Sequence, residues 1–420
     1  MKDDAVKCKP VAEKKGISRR TVVKTAGAAG VAAATGVGLF GGTPPAFAQK
    51  RTIHYLMDSY FISGAKDVHL AVNEEFKKQT GVEIKMEFIN QNDLNTRLTA
   101  AVEAGAGPDM TILKWNMPHL FAGGLANHDA LMADIDASDY YGFMNDATMV
   151  DGVYRAMPTY MTPNAWVYRT DIFEELGISP FPETMDDYLV AGKKLKDNGT
   201  PIGFTLGHTL GDAPANCYTW LWAFGGREVD ENQKVMIDSA ETRAAMEFFR
   251  GFWNDACDPG GLSYDDGSNN PDKVPEGLAD NLHHAPLPSG PGGSYGTNQP
   301  LSQGIFEHST QKEACMEYLK FFMTGENFEN WFVAMGGQAV GPSPAWEEHE
   351  FWATQPALGS IPRMGKYGRS FGYSGPYDRK ASEVQAKYII IDLLALVARG
   401  DSVDDTIKWA ETELKQIYEG

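Results

Sequence analysis

Neighbouring acids are the first residues in this chain that could carry a reaction. Asp186-Asp187 and Asp265-Asp266 each supply two carboxyls, the equipment of a glycoside hydrolase. That chemistry needs its carboxyls on either side of a scissile bond, about 5–9 Å apart, and residues adjacent in the chain do not span it. Both pairs read as surface acids. His283-His284 lacks a third ligand at metal spacing, and Glu347-Glu348-His349-Glu350 is not the HExxH arrangement that seats zinc on one helix face. The sequence contains no Gly-x-Ser-x-Gly nucleophile elbow. Gly36-Val37-Gly38-Leu39-Phe40-Gly41 matches the dinucleotide fingerprint, but the strand before it, the helix after it and the acid about 20 residues on are missing. The chain is therefore expected to hold no cofactor and no metal, and not to be an enzyme.

Recognition chemistry remains, carried by flat aromatic faces and polar side chains in loops. Trp115 follows the apolar run Met110–Leu113, at the end of a strand where ligands meet parallel sheets. Tyr60 follows the first strand, and Asn92 stands at the start of the second helix. Trp220 and Trp222 lie two apart, so on a helix they point in different directions. One is expected in the core, and either is a candidate to touch ligand. Arg363, Tyr367, Tyr373 and Tyr377 crowd a Gly-rich stretch, 361–377, that reads either as the rim of a site or as a solvated loop.

Composition narrows the class. With 420 residues, 43% of them hydrophobic, the chain can bury a large core, and the length suggests two domains. Mean hydropathy is −0.33, and the body of the chain holds no run of about 18 apolar residues, which excludes a multi-span membrane protein. A net charge of −19 argues against a nucleic-acid partner, since little here would neutralise phosphates.

Residues 1–48 carry eight Lys/Arg and three Asp/Glu, a net +5, so the rest carries −19 − 5 = −24. Ser18-Arg19-Arg20-Thr21-Val22-Val23-Lys24 resembles a twin-arginine export signal, followed by a Gly/Ala-rich apolar run and by Ala46-Phe47-Ala48. Cleavage is expected before Gln49, and the periplasm is the expected destination. Cys217, Cys257 and Cys315 form an odd set without metal spacing. A Cys217–Cys257 bridge and buried free thiols both fit the sequence.

The body of the chain alternates its periods. Thr52–Met57 reads as a strand, 66–79 as a helix with Val68, Val72 and Phe76 inward, and Val82–Phe88 as an alternating strand. Asn92 or Asp93 is placed to cap a helix that buries Leu94, Leu98 and Val102 and ends at Gly105. Asp109–Leu113 is a third strand. This β-α-β-α-β order predicts a mostly parallel sheet covered by helices. Near the end, Val403, Ile407, Ala410, Leu414 and Ile417 mark one face of an amphipathic helix.

Five segments then fall in a familiar order. They are Phe76 to Val82 with Ala104 to Asp109, Trp166–Phe173 to Gly177, Tyr295 to Ser309, Lys312-Glu313-Ala314 with Tyr318–Phe322, and Arg399–Asp405. Together they resemble the extracellular solute-binding proteins of ABC importers, in the sugar-binding family that includes maltose-binding protein. The resemblance implies an α/β fold of two lobes, type II-like, each a mostly parallel sheet flanked by helices, with ligand in the cleft between them. It assigns 51–160 plus 297–342 to the first lobe, and 161–296 plus 343–420 to the second. It places Thr162 and Asn164 on the first crossover, where a polar ligand contact is expected. It implies capture of a sugar or polyol, delivery to the ABC permease, and action as a monomer. An exported cofactor-containing enzyme, or the same fold with a non-sugar ligand, are the alternatives. Lys114, Arg363 and Arg369 keep an anionic ligand open. In the resemblance, some twenty or more residues are missing between Asn270 and Pro271, which removes part of the second lobe's ligand wall.

Overall fold

The computed structural model describes residues 51–135, 137–264 and 278–420. The export segment, Asp265-Asp266 and the Asn270-Pro271 junction lie outside the described residues. Among the described residues, no helix is long and apolar enough to cross a membrane.

The first half builds as its periodicity dictates. Strand β1 (Thr52–Asp58) leads to helix α1 (Ser63–Thr80), which buries His69, Val72, Asn73 and Phe76 and stops at Gly81, φ 74°. A left-handed residue there closes the last turn at no steric cost to glycine. Strand β2 (Glu83–Ile89) follows, then α2 (Leu94–Ala104) with Leu94, Leu98 and Ala101 inward, then β3 (Met110–Lys114), buried throughout. The turn into α2 is capped by Asn90, whose Oδ1 accepts from the Asn92 N–H, in place of the expected Asn92 or Asp93. The side chain of Asn92 is engaged elsewhere. Short helices α3 (Met117–Leu120), α4 (Asp129–Ile135) and α5 (Gly142–Asp146) precede a small hairpin, β4 (Met149–Val150) with β5 (Val153–Tyr154). Strand β6 (Met157–Thr162) ends this half.

After residues 163–165 the chain enters a second layer at β7 (Trp166–Arg169), followed by α6 (Thr170–Glu175), α7 (Met185–Asp197), α8 (Asp212–Ala223) and α9 (Ala240–Ala256). Strand β8 (Leu282–Ala285) pairs antiparallel with β7, and β9 (Gln299–Ile305) returns to the first sheet. Helices α10 (Lys312–Met323) and α11 (Glu326–Ala334) cover that sheet. Of the last three, α13 (Ile389–Arg399) packs with α8 and α9 and α14 (Val403–Tyr418) with α9, while α12 (Arg379–Ala386) packs on α3, α13 and α14.

The five-stranded sheet has the order β2-β1-β3-β9-β6. Its β2-β1-β3 part is parallel as expected, whereas β9 runs antiparallel to both β3 and β6, so the sheet is mixed. The second layer departs further from a mostly parallel sheet. Its described sheet is the β7–β8 pair, and its core is helical. There α8 is buried on nearly every side, with Trp220 set among Phe204, Phe249 and Phe252. Cys217, Cys257 and Cys315 are buried and free, each thiol pushed up by burial.

One acid lies inside this core. Glu228 is fully buried, accepting from the Tyr218 hydroxyl at 3.0 Å and from the Gly372 N–H at 2.6 Å. Burial pushes its carboxyl up to about 7, while these two donors pull it back. The unfolded chain ionises near 4.5, so between about pH 4.5 and 7 the folded state holds the extra proton and stability falls as pH rises. Glu228→Gln is therefore expected to gain about 2–4 kcal/mol over the wild type on going from pH 4.5 to pH 8. Urea unfolding of both proteins at the two pH values measures this, and parallel profiles would show that Glu228 does not titrate in this range.

Candidate functional site

The C-terminal ends of β1 and β3 lie side by side, and the chain leaves both in loops that bound a cavity of about 280 Å³. This is where parallel strands leave a crevice for ligand. Asp58, Ser59 and Tyr60 come from the β1 end, Gln91 from the turn before α2, and Lys114 from the β3 end. Tyr160, Thr162, Gln299 and Leu301 come from β6 and β9, and Met335 and Gln338 from the segment after α11. Gly211 and Asp212, at the start of α8, close the opposite side.

A buried ion pair organises the floor. Lys114 Nζ donates to Asp58 Oδ2 and to Gln91 Oε1, both at 2.7 Å, with the lysine and aspartate side chains 5% and 11% exposed. Each charge is buried only because the other is there. Gln299 lines the cavity, and its Nε2 is one of several buried nitrogens without a hydrogen-bond partner.

Tyr60 is fixed from behind. Its hydroxyl accepts from Trp331 Nε1 at 3.0 Å and meets His69 Nδ1 at 2.5 Å. His69 Nε2 meets the Tyr318 hydroxyl at 2.7 Å, which donates to Asn73 Oδ1 at 2.6 Å. Because Tyr318 gives its proton to Asn73, the proton between His69 and Tyr318 sits on Nε2, and Nδ1 accepts from Tyr60. Burial pushes the His69 imidazole down to about 3, so it is neutral across the ordinary range.

The expected residues separate into groups. Tyr60 and Thr162 line the cavity. Asn92 and Trp115 stand beside it and grip the opposite layer. The Leu210 N–H donates to Asn92 Oδ1 at 3.0 Å, and Trp115 Nε1 donates to the Leu210 carbonyl at 3.1 Å. Trp115 is 4% exposed, packs on Phe371 with ring centres 4.6 Å apart, and has φ 54°, a left-handed conformation a bulky residue keeps only where its surroundings hold it. Its indole faces protein, whereas the sequence suggested ligand. Asn164 is likewise spent within the chain, donating to the Ala215 carbonyl and to Thr219 Oγ1, both at 3.1 Å.

The remaining expectations lie away from the cavity. Trp220 and Trp222 are both core residues, because from Cys217 to Ala223 every residue of α8 is buried. Arg363 is exposed beside Glu348, 3.7 Å away, and Tyr367 stacks under Lys366. Tyr377 packs its ring on His119 in a separate shallow groove. Beside it, Arg369 is held between the rings of Tyr295 and Tyr373. Sequence reasoning did not select Asp58, Gln91, Gln299 or Asp212, and took Lys114 as a free cation. The available signal was position: charged residues ending apolar strands deserve the same suspicion as aromatic ones.

A mixed α/β sheet, a second layer reached by short crossings, and a cavity between them with polar and apolar lining define a two-lobed solute receptor. The chain belongs to the bacterial extracellular solute-binding protein family, whose model matches residues 63–327. A binding protein of Brucella abortus (strain 2308) is 24% identical over 276 residues, 59% of this chain and 67% of the relative. The diacetylchitobiose binding protein DasA of Streptomyces coelicolor is 26% identical over 128 residues, 30% of each chain. Among solved structures, maltose-bound MalE3 of T. maritima superposes with a TM-score of 0.74 at 20% identity, covering 87% of this chain and 99% of that one. A ribitol-bound solute-binding protein of Agrobacterium radiobacter K84 gives 0.73 at 18% identity, covering 88% and 99%.

Proposed function

We propose that this protein is the substrate-binding component of an ABC importer, capturing a sugar or polyol by lobe closure and delivering it to the membrane permease. The observation that carries the reading is the cavity itself. It combines hydrogen-bonding side chains at the C-terminal strand ends with apolar ones such as Phe61, Ile62 and Met335, and is closed by Gly211-Asp212 from the other layer. Such a site grips hydroxyl groups and needs no reacting residue. Maltose and ribitol in the similar structures support the ligand class. We assign 51–160 plus 297–342 to one lobe and 161–296 plus 343–420 to the other. Residues 1–48 act as a twin-arginine signal that sends the chain to the periplasm, where it works as a monomer. A non-sugar ligand on the same fold is the second reading, favoured by the charged pair in the floor.

The test is a panel of sugars and polyols added to purified residues 49–420. Trp331 touches Tyr60 and Trp115 adjoins Lys114, so binding is expected to change tryptophan emission. A ligand that prefers the folded state also raises the melting temperature. Silence in both measurements across the whole panel would overturn the carbohydrate reading.

A further inference from the structure

Resting on the reading of lobe closure, we propose that Phe371 and Ser382 are positioning residues that hold the two layers together, and so set solute affinity without touching solute.

The seam begins at the end of β3. Lys114 lines the cavity, and the chain turns at Trp115, φ 54°, so that the residues after it serve the opposite layer. Trp115 packs its ring on Phe371, and the Asn116 carbonyl accepts from Ser382 Oγ at 2.9 Å. His119 stacks on Tyr377, ring centres 6.1 Å apart. One short segment thus meets three points of the second layer, in a seam that continues the contact with Leu210. Trp115, Asn116, Phe371 and Ser382 are at most 4% exposed, and none of them lines the cavity.

Phe371 is anchored from its own side. Its ring also packs on Tyr218, centres 4.5 Å apart, and the Tyr218 hydroxyl donates to Glu228 Oε1. The other oxygen of that carboxyl accepts from the N–H of Gly372, the next residue in the chain. Ring and backbone are both fixed within the second layer, so Trp115 rests on a surface that the second layer builds alone.

The bond from Ser382 parts without stranding either partner. Its hydroxyl also lies 3.0 Å from the Asp378 carbonyl, one turn back at the cap of α12. The Asn116 carbonyl also accepts from the His119 N–H at 2.9 Å. When the layers separate, each group keeps a partner on its own side, and no desolvation penalty locks the contact. Such a seam biases closure and leaves it reversible. A solute gripped by both layers binds in proportion to the closed fraction, so residues that raise that fraction raise affinity from outside the cavity.

Electron-spin distance measurements test this without any solute. They use residues 49–420, whose body from Lys50 to Gly420 is one compact unit. Nitroxides are placed on Thr99→Cys in α2 and Ala244→Cys in α9, both exposed positions, while Cys217, Cys257 and Cys315 are buried out of reach of the label. Ser382→Ala and Phe371→Leu are each expected to raise the ratio of open to closed distances about fivefold. Ser382→Thr keeps the hydroxyl and is expected to match the parent distribution. So is Phe249→Leu, which trims an equally buried ring that packs on Phe204 and Trp220. An unchanged distribution in both seam variants would overturn the inference, as would an equal shift in Phe249→Leu. Neither result touches the receptor reading, which stands or falls on the solute panel.

Discussion

A Lys114→Met variant is expected to lose about 3–5 kcal/mol of stability and all measurable ligand affinity. Methionine fills most of the volume of the lysine stem but leaves Asp58 buried without a counter-charge, and Gln91 Oε1 without its donor. The cost comes from that stranded carboxylate, so it is recoverable. Lys114→Met combined with Asp58→Asn should regain most of the lost stability, because a neutral amide needs no cation beside it. Affinity should stay low, since Lys114 and Asp58 both face the cavity. Urea unfolding of the wild type, both single variants and the double variant gives the coupling directly. Single-variant effects that simply add would show that the pair is not acting as a unit.

The second large effect is acid sensitivity carried by His69. Its imidazole is held down to about 3 by burial, against 6.5 in the unfolded chain. Between those values the unfolded chain binds a proton that the folded chain refuses. The resulting stability is fully present above about pH 6.5 and is lost as pH falls toward 3. From pH 7 to pH 4 the loss from this one residue is about 3 kcal/mol. His128, held down to about 4 in the same way, adds to it, and Glu228 opposes it over part of the range. His69→Gln keeps an acceptor toward Tyr60 and a donor toward Tyr318 without a titrating ring. Its stability should fall by about 3 kcal/mol less than the wild type between pH 7 and pH 4, read from urea midpoints. Equal losses in the two proteins would mean that His69 titrates normally. Because His69 stays neutral in the folded state throughout, the hydrogen bond that fixes Tyr60 should not change over this range.

Much of the first sheet was readable because its signals are local. Alternation in 82–88, the helical stripe of 66–79 and glycine stops at Gly81 and Gly105 each follow from nearby residues. The reversal of β9 was not readable, since strand direction in a sheet depends on which distant segment arrives beside β3. The site divides on the same line. Tyr60 and Thr162 were placed by their position at strand ends, and they line the cavity. Trp115 and Asn92 occupy equivalent positions, but Leu210, about a hundred residues away, claims their polar atoms. Trp220 and Trp222 misled for another reason. Opposite directions on a helix imply different surroundings only where the helix has a wet face, and from Cys217 onward α8 has none.

The hold on Leu210 bears on the rate of loading. Asn92 and Trp115 seize both the N–H and the C=O of one peptide residue, a grip that depends on backbone and is indifferent to the leucine side chain. Each such bond contributes roughly 1 kcal/mol, so the two together favour contact between the layers by about 2 kcal/mol. On the proposed function, loading that parts this contact should be paced by spontaneous opening at high solute concentration instead of rising without limit.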